Sequence, residues 1–223
     1  MLFLSVSASN FIIGEATLIQ DNFLRQEITD LILKNADFSA TLEKMPLETA
    51  LSKLRKNELT CFTANDISQI PSEEFDFVKY NSIYLGVIVN KKNSLKQISF
   101  EDLKKIFCNQ EKNWSFLIPD NPYSIHRFGM PENSAVYLIA DRIFPKNASG
   151  NNLLYYPIEK VEIMVESNAN AIGLIELKKN NNYLRNVKLL PIVDKNDNAT
   201  QLDFYLVFRK GEKAKIEELL SNG

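Results

Sequence analysis

The chain has 223 residues, 45% of them hydrophobic and 24% charged, an ordinary globular composition with enough apolar material for one large domain or two small lobes. Lysine and arginine number 26 against 28 acidic residues, a formal net charge of -2. This argues against a general binder of nucleic acid or anionic membrane, which needs a basic surface, so any bound anion must be held by local groups rather than by the overall field.

The opening stretch, Met1-Leu2-Phe3-Leu4-Ser5-Val6-Ser7-Ala8, reads as the tail of a signal-peptide apolar region, with Val6-Ser7-Ala8 in the small-residue pattern that precedes cleavage. The basic segment that opens such a peptide is missing, and a short buried strand is the other reading. No apolar run in the sequence is long enough to span a membrane as a helix.

Phe11-Ile12-Ile13, closed by Gly14, predicts a short buried strand. Thr17-Leu18-Ile19-Gln20 fits a capping box, with Thr17 at the N-cap, and opens a helix to about residue 35 whose apolar stripe is Phe23, Ile28, Leu31 and Ile32. Residues 38–42 alternate as a strand. Pro46 suits the first turn of a helix carrying Leu47, Ala50, Leu51 and Leu54, and residues 59–62 return as a strand. This β-α-β-α-β opening predicts an α/β fold with a largely parallel sheet.

Residues 82–89 form the most apolar strand-like run, long enough for a buried strand that crosses between lobes. Ser99-Phe100-Glu101-Asp102 is a second capping box, and its helix runs to about Phe107. Asn133 or Ser134 caps a helix containing Val136, Tyr137, Ile139, Ala140 and Ile143. Pro157 opens another through Val161 and Val165. Strands follow over 171–175, 187–193 and 204–208, with a closing helix over 212–220.

Cys61 and Cys108 belong to no CxxC or Cys/His cluster, which argues against a structural zinc site. They read as free thiols packed as small hydrophobes, with a disulfide between them left open. No metal and no cofactor is expected.

Several pieces, in this order, resemble the phosphate-binding protein family of ABC-type importers. Val87-Ile88-Val89-Asn90 is followed by Ile98-Ser99-Phe100-Glu101-Asp102-Leu103 and Ile106-Phe107, then by Asn113-Trp114. Further on, Asn168-Ala169-Asn170-Ala171-Ile172-Gly173-Leu174 and Val187-Lys188-Leu189-Leu190-Pro191-Ile192 resemble the family's later strands. The resemblance implies a two-lobed periplasmic-binding-protein-like fold of type II with two crossing hinge strands. Lobe one would take residues 9–84 plus 187–223, and lobe two residues 85–186. Ligand would be held in the interlobe cleft by hinge closure.

The resemblance also implies site residues. Ala16-Thr17-Leu18 falls on the family's first binding turn, where Thr17 and Leu18 would offer a hydroxyl and amides; a plain N-cap threonine is the other reading. Phe62-Thr63-Ala64-Asn65-Asp66 matches the stretch that ends in the family's ligand aspartate, placing Asn65 and Asp66 at the ligand. A carboxylate beside an anion repels it unless the anion has a proton to donate. Hydrogen phosphate does and sulfate does not, so Asp66 would discriminate between them; an ordinary solvent-facing turn is the alternative. Arg127, after Tyr123-Ser124-Ile125-His126, matches the family arginine, a fork for two anion oxygens, against a plain arginine at a strand end. Ser134 stands where the family has a Ser-Gly-Thr helix entry, without the Gly and Thr. A second departure is Lys44-Met45-Pro46-Leu47-Glu48, which replaces the family's Gly-Ser-Gly-type turn.

The leading expectation is therefore a non-enzymatic extracytoplasmic solute-binding protein. It would be periplasmic or extracellular after removal of a signal peptide near Ala8, and would capture a small oxyanion, foremost phosphate. Its expected partners are that ligand and a membrane permease, with no nucleic acid and a monomeric state. The alternative is a sensory or interaction module of the same fold that has lost phosphate binding. His126 is the only histidine, and no nucleophile motif supports a hydrolase. Effector domains of transcription regulators share the fold family, but no helix-turn-helix segment precedes Phe11.

Overall fold

The computed structural model describes residues 9–16, 26, 29–30, 38–144, 153–177, 184, 186–194, 197–214 and 216–217. The chain divides into two compact units, residues 1–82 with 203–223, and residues 83–202. It passes between them twice, from Ser82 to Ile83 and from Leu202 to Asp203. The return thus comes at 203, where the sequence suggested 187. The reason is strand pairing: β9 (Val187–Leu190) runs antiparallel to β4 (Phe75–Asn90) over Val87–Asn90, which keeps it in the second unit.

In the first unit, β1 (Ser9–Glu15) lies parallel to β2 (Phe38–Lys44) over its whole length and to β3 (Cys61–Ala64) over Ile13–Glu15. The order is β2-β1-β3-β11-β4, with β11 (Gln201–Arg209) antiparallel to β3. The parallel start expected from the β-α-β-α-β pattern is therefore present. Helix α1 (Leu47–Arg55) is the crossover from β2 to β3. Its Ala50, Leu51 and Leu54 recur at helical spacing and are buried with Leu59, Phe62, Phe75 and Val207. The helix expected over 17–35 lies mostly outside the described residues, of which Gln26, Thr29 and Asp30 are helical.

In the second unit, β4 from Leu85 to Asn90 is buried on both faces, which explains why this stretch reads as a continuous apolar run rather than an alternation. It pairs antiparallel with β8 (Ala171–Leu177). Beyond β8 come β6 (His126–Gly129) and β7 (Leu153–Tyr155), both parallel neighbours. A short parallel pair, β5 (Ile98–Ser99) with β10 (Ile192–Val193), stands apart; Pro191, which has no N–H for a ladder, separates β10 from β9. Helix α2 (Phe100–Phe107) starts at Ser99, whose hydroxyl accepts the Asp102 amide at 3.0 Å, as its capping box predicts. Helices α3 (Ala135–Ile143) and α4 (Ile158–Ser167) follow β6 and β7. Both cysteines are buried thiols outside any disulfide.

The Ala171-Ile172-Gly173 segment has a packing reason for its glycine. A Cβ on Gly173 would lie 2.9 Å from Val161 and from Val165 of α4 and 3.2 Å from Ile88 of β4. The helix therefore rests directly on the β8 backbone, and Val161 and Val165 are fully buried there. Gly173→Val should lower stability by about 1–3 kcal/mol through overpacking, read as a lower denaturant midpoint. Gly211→Ala is a poor control because its φ is +88°, so Ile163→Val, at an exposed site, should serve and leave the midpoint nearly unchanged.

Candidate functional site

In open α/β sheets the ligand end is the carboxyl end of the parallel strands, where loops leave for the following helices. In the first unit these ends are aligned by register, Glu15 opposite both Lys44 and Thr63. Two backbone bonds hold the exits side by side: the Ala16 amide donates to the Thr63 carbonyl at 3.0 Å and the Met45 amide to the Glu15 carbonyl at 3.1 Å. Thr17 and Leu18, expected to open the site, lie outside the described residues. The exit from β2 is Met45-Pro46, and α1 begins there with no side-chain cap bond.

The exit from β3 carries Asn65, half-buried, and Asp66, exposed. Asp66 Oδ1 accepts the Ser68 amide at 2.9 Å, closing an Asx turn. The Ser68 hydroxyl and amide together hold the Asp66 carboxyl below the usual carboxylate range, against a smaller opposing effect of burial. Asp66 is therefore a preformed carboxylate acceptor at the strand end. Sequence reasoning missed two buried polar neighbours here, Glu15 and Thr63. The signal was available in each case, a polar residue ending an apolar strand run.

In the second unit Arg127, expected at the ligand, has partners within the protein. Arg127 is the second residue of β6, paired with Leu153 and Ile172, and two residues short of the strand's carboxyl end at Gly129. Its side chain is buried. One guanidinium nitrogen donates to the Ile106 carbonyl at 2.9 Å and the other to Asn109 Oδ1 at 3.0 Å. Ile106 is in the last turn of α2, where the helix leaves partial negative charge and carbonyls without intrahelical partners. Asn109 has φ 59°, a left-handed position that Asn tolerates, and its amide also donates to the Ile106 carbonyl, at 3.1 Å. Arg127 thus closes the end of α2. Burial lowers its pKa, and the acceptors that meet its charge here are two dipoles, a backbone carbonyl and a side-chain amide oxygen.

Ser134 is the N-cap of α3; its buried hydroxyl accepts the Tyr137 amide at 3.1 Å. The β6 exit between these residues begins at the buried Met130. His126 is exposed at the other end of β6, with its amide on the Asn170 carbonyl at 3.0 Å. Trp114 is fully buried, its indole N–H on the same carbonyl at 2.9 Å, which accounts for the tryptophan of the Asn-Trp pair. Asn65 and Asp66 belong to the first unit, Arg127 and Ser134 to the second. Among the described residues, no group of three or more His, Cys, Asp or Glu side chains could hold a metal ion.

No family model matches the sequence, and no curated protein does. Solved structures do match in fold. An ABC-type phosphate transport receptor from Vibrio cholerae is 12% identical, with a TM-score of 0.70 over 95% of this chain and 93% of that one. A putative phosphate ABC transporter substrate-binding protein from Clostridium perfringens, with bound phosphate, is 16% identical, with a TM-score of 0.63 over 96% and 92%. The reduced regulatory domain of OxyR from Pseudomonas aeruginosa is 12% identical, with a TM-score of 0.56 over 96% of both chains. The fold is that of the type II periplasmic-binding proteins, as the resemblance implied.

Two measurements follow from this geometry. Arg127→Ala should cost about 1.5–3 kcal/mol of folding stability, the range for hydrogen bonds to a charged group, and Arg127→Lys should recover only part, since one ammonium cannot reproduce the fork. Chemical denaturation of both variants reads this directly. The second concerns pH. The folded-state pKa of Asp66 is depressed, so its contribution is present above the ordinary aspartate value of about 3.9 and is lost as pH falls through the lower folded value. Asp66→Asn should therefore be less stable than wild type at neutral pH, and the difference should shrink as pH falls below the ordinary aspartate value, measured by thermal melts across that range.

Proposed function

We propose that the protein is the solute-capturing component of an ABC-type importer, working outside the cytoplasm, and that its ligand is a small oxyanion, with phosphate the first candidate. The observation that supports this reading best is a fold shared over nearly the full chain with two phosphate receptors, one of them holding phosphate. The local chemistry is compatible. Strands β2 and β6 each lead at their carboxyl ends into a helix, α1 or α3, and the amides and dipole of a helix N-terminus favour an anion. Asp66 adds a fixed acceptor for a protonated oxyanion. Thr17, Leu18, Asn65 and Ser134 complete the proposed ligand groups. Arg127 belongs to the set through its remaining N–H groups, since an arginine carries five donors and two are engaged in these bonds. Hinge closure at the two chain crossings would accompany capture. None of the described helices is long and apolar enough to cross a membrane. The segment before Ser9, proposed as a removed signal peptide, lies outside the described residues.

A second reading is favoured by one specific observation. The guanidinium of Arg127 is buried in the closure of α2, as suits a sensory or interaction module that keeps the fold without binding phosphate. OxyR regulatory domains share this fold and are its structural precedent.

Isothermal titration of the purified protein with phosphate and with sulfate decides between the two. The transport reading expects saturable phosphate binding, preferred over sulfate. In Asp66→Asn that preference should narrow by on the order of tenfold, equivalent to 1.4 kcal/mol, because the repulsion against an unprotonated anion is gone. Absence of phosphate binding at millimolar concentration would reject the phosphate assignment and leave the second reading in its place.

A further inference from the structure

The turn that follows β4 in the second unit holds an ammonium without a counter-charge and a buried donor without an acceptor. The turn is Asn90-Lys91-Lys92-Asn93-Ser94-Leu95-Lys96, closed by the Asn93 amide on the Asn90 carbonyl at 2.9 Å. Lys188 of β9 pairs with Val89 and sends its ammonium into this turn, donating to the Asn93 and Leu95 carbonyls. These carbonyls engage two of its three donors and bring it no net negative charge. Among the described residues no carboxylate pairs with Lys188, and burial lowers its pKa.

Asn93 is only 5% exposed. Its Oδ1 accepts the Leu95 amide at 2.9 Å, which fixes the orientation of the side-chain amide, because an N–H cannot accept another N–H. Nδ2 is therefore a donor, and it is buried with no acceptor in the protein. Such orphans are few in folded proteins, and each calls for a partner. A water could serve Asn93 but could not balance Lys188. One acceptor class serves both groups, an anion with more than one oxygen. Lys91, Lys92 and Lys96 are exposed along the same turn and raise the local positive potential, although the chain as a whole carries a net charge of -2. The place is also separate from the strand exits. Val89 pairs with Ile172 near the amino end of β8, whereas the exit toward Ser134 leaves the carboxyl end of β6, which runs parallel to β8.

We propose that Lys188, Asn93 and the lysines of the 91–96 turn form a second binding site, for a small free oxyanion of the sulfate or phosphate class. The Lys188 ammonium and the Asn93 Nδ2 group donate to the anion's oxygens, and the exposed lysines supply the surrounding charge. The site contains no carboxylate, so it takes sulfate and phosphate alike, in contrast to a site built on Asp66. Titration of the nitrogen-labelled full chain with sodium sulfate, against sodium chloride at equal ionic strength, tests this by the amide resonances. The Asn93 side-chain amide and the backbone amides over 91–96 should shift saturably with sulfate and not with chloride, since screening acts on all exposed charges alike. Phosphate should shift the same signals, whether or not the strand exits also respond. Lys188→Met, which keeps the apolar stem, should weaken sulfate binding at least about tenfold. Asn93→Asp keeps the acceptor for the Leu95 amide and places a carboxylate beside Lys188, so the fold should remain and saturable binding should be lost. Lys92→Gln combined with Lys96→Gln, both at the surface, should weaken binding by a smaller factor and carries the test if Lys188→Met does not fold. Sulfate shifts no larger than those of chloride, or sulfate binding in Asn93→Asp as tight as in wild type, would overturn the proposal.

Discussion

A guanidinium removed from water needs fixed acceptors, and in the second unit that requirement organises the elements around β6. Arg127 is buried, so its donors must be matched within the protein, and the acceptors that meet it are those at the end of α2. The helix ends where it does because Asn109 takes a left-handed conformation and turns its side-chain oxygen to the same guanidinium. Strand β6, helix α2 and the turn after it are thus fixed by one cation. The close seat of α4 on Gly173 does the equivalent on β8, by shape instead of charge.

This constraint bears on the binding chemistry. A side chain already bonded inside the protein offers a ligand only what it has left. Ser134 and Arg127 both have internal partners, a helix amide in one case and a helix carbonyl in the other. Asp66 also has one, but its partners favour the ionised form, so the internal bonds prepare it as an acceptor instead of consuming it. Among these three side chains, the first unit's Asp66 is therefore the better-prepared acceptor. Asp203 is likewise engaged inside the protein, by Ser82 of β4 and Tyr205 of β11.

Much of the architecture was legible in sequence because it follows from local patterns. Apolar spacing placed α1 through Ala50, Leu51 and Leu54, the Ser99 box placed the start of α2, and the unbroken run ending at Asn90 announced a strand buried on both faces. The length of β4 was less legible. Its first half, from Phe75, alternates between buried or half-buried and exposed residues, and the run of charge and polarity at Asp76, Lys79 and Asn81 disguises it. The return boundary was misplaced because strand identity is local, whereas the unit a strand joins depends on its partner, here β4 for β9.

The sequence by itself determined the type of most described elements, the parallel opening of the sheet and the order of motifs that resembles the phosphate-binding proteins. Periodicity, caps and prolines act within a few residues, so they can be read without the fold. Only the tertiary structure decided what Arg127, Asn109 and Asp203 do. Arg127 and Asn109 stand 18 residues apart and Ser82 and Asp203 121, and a charged side chain's role is set by which groups reach it once water is excluded. A motif can place an arginine on a strand; whether its guanidinium is free depends on the helix packed beside it.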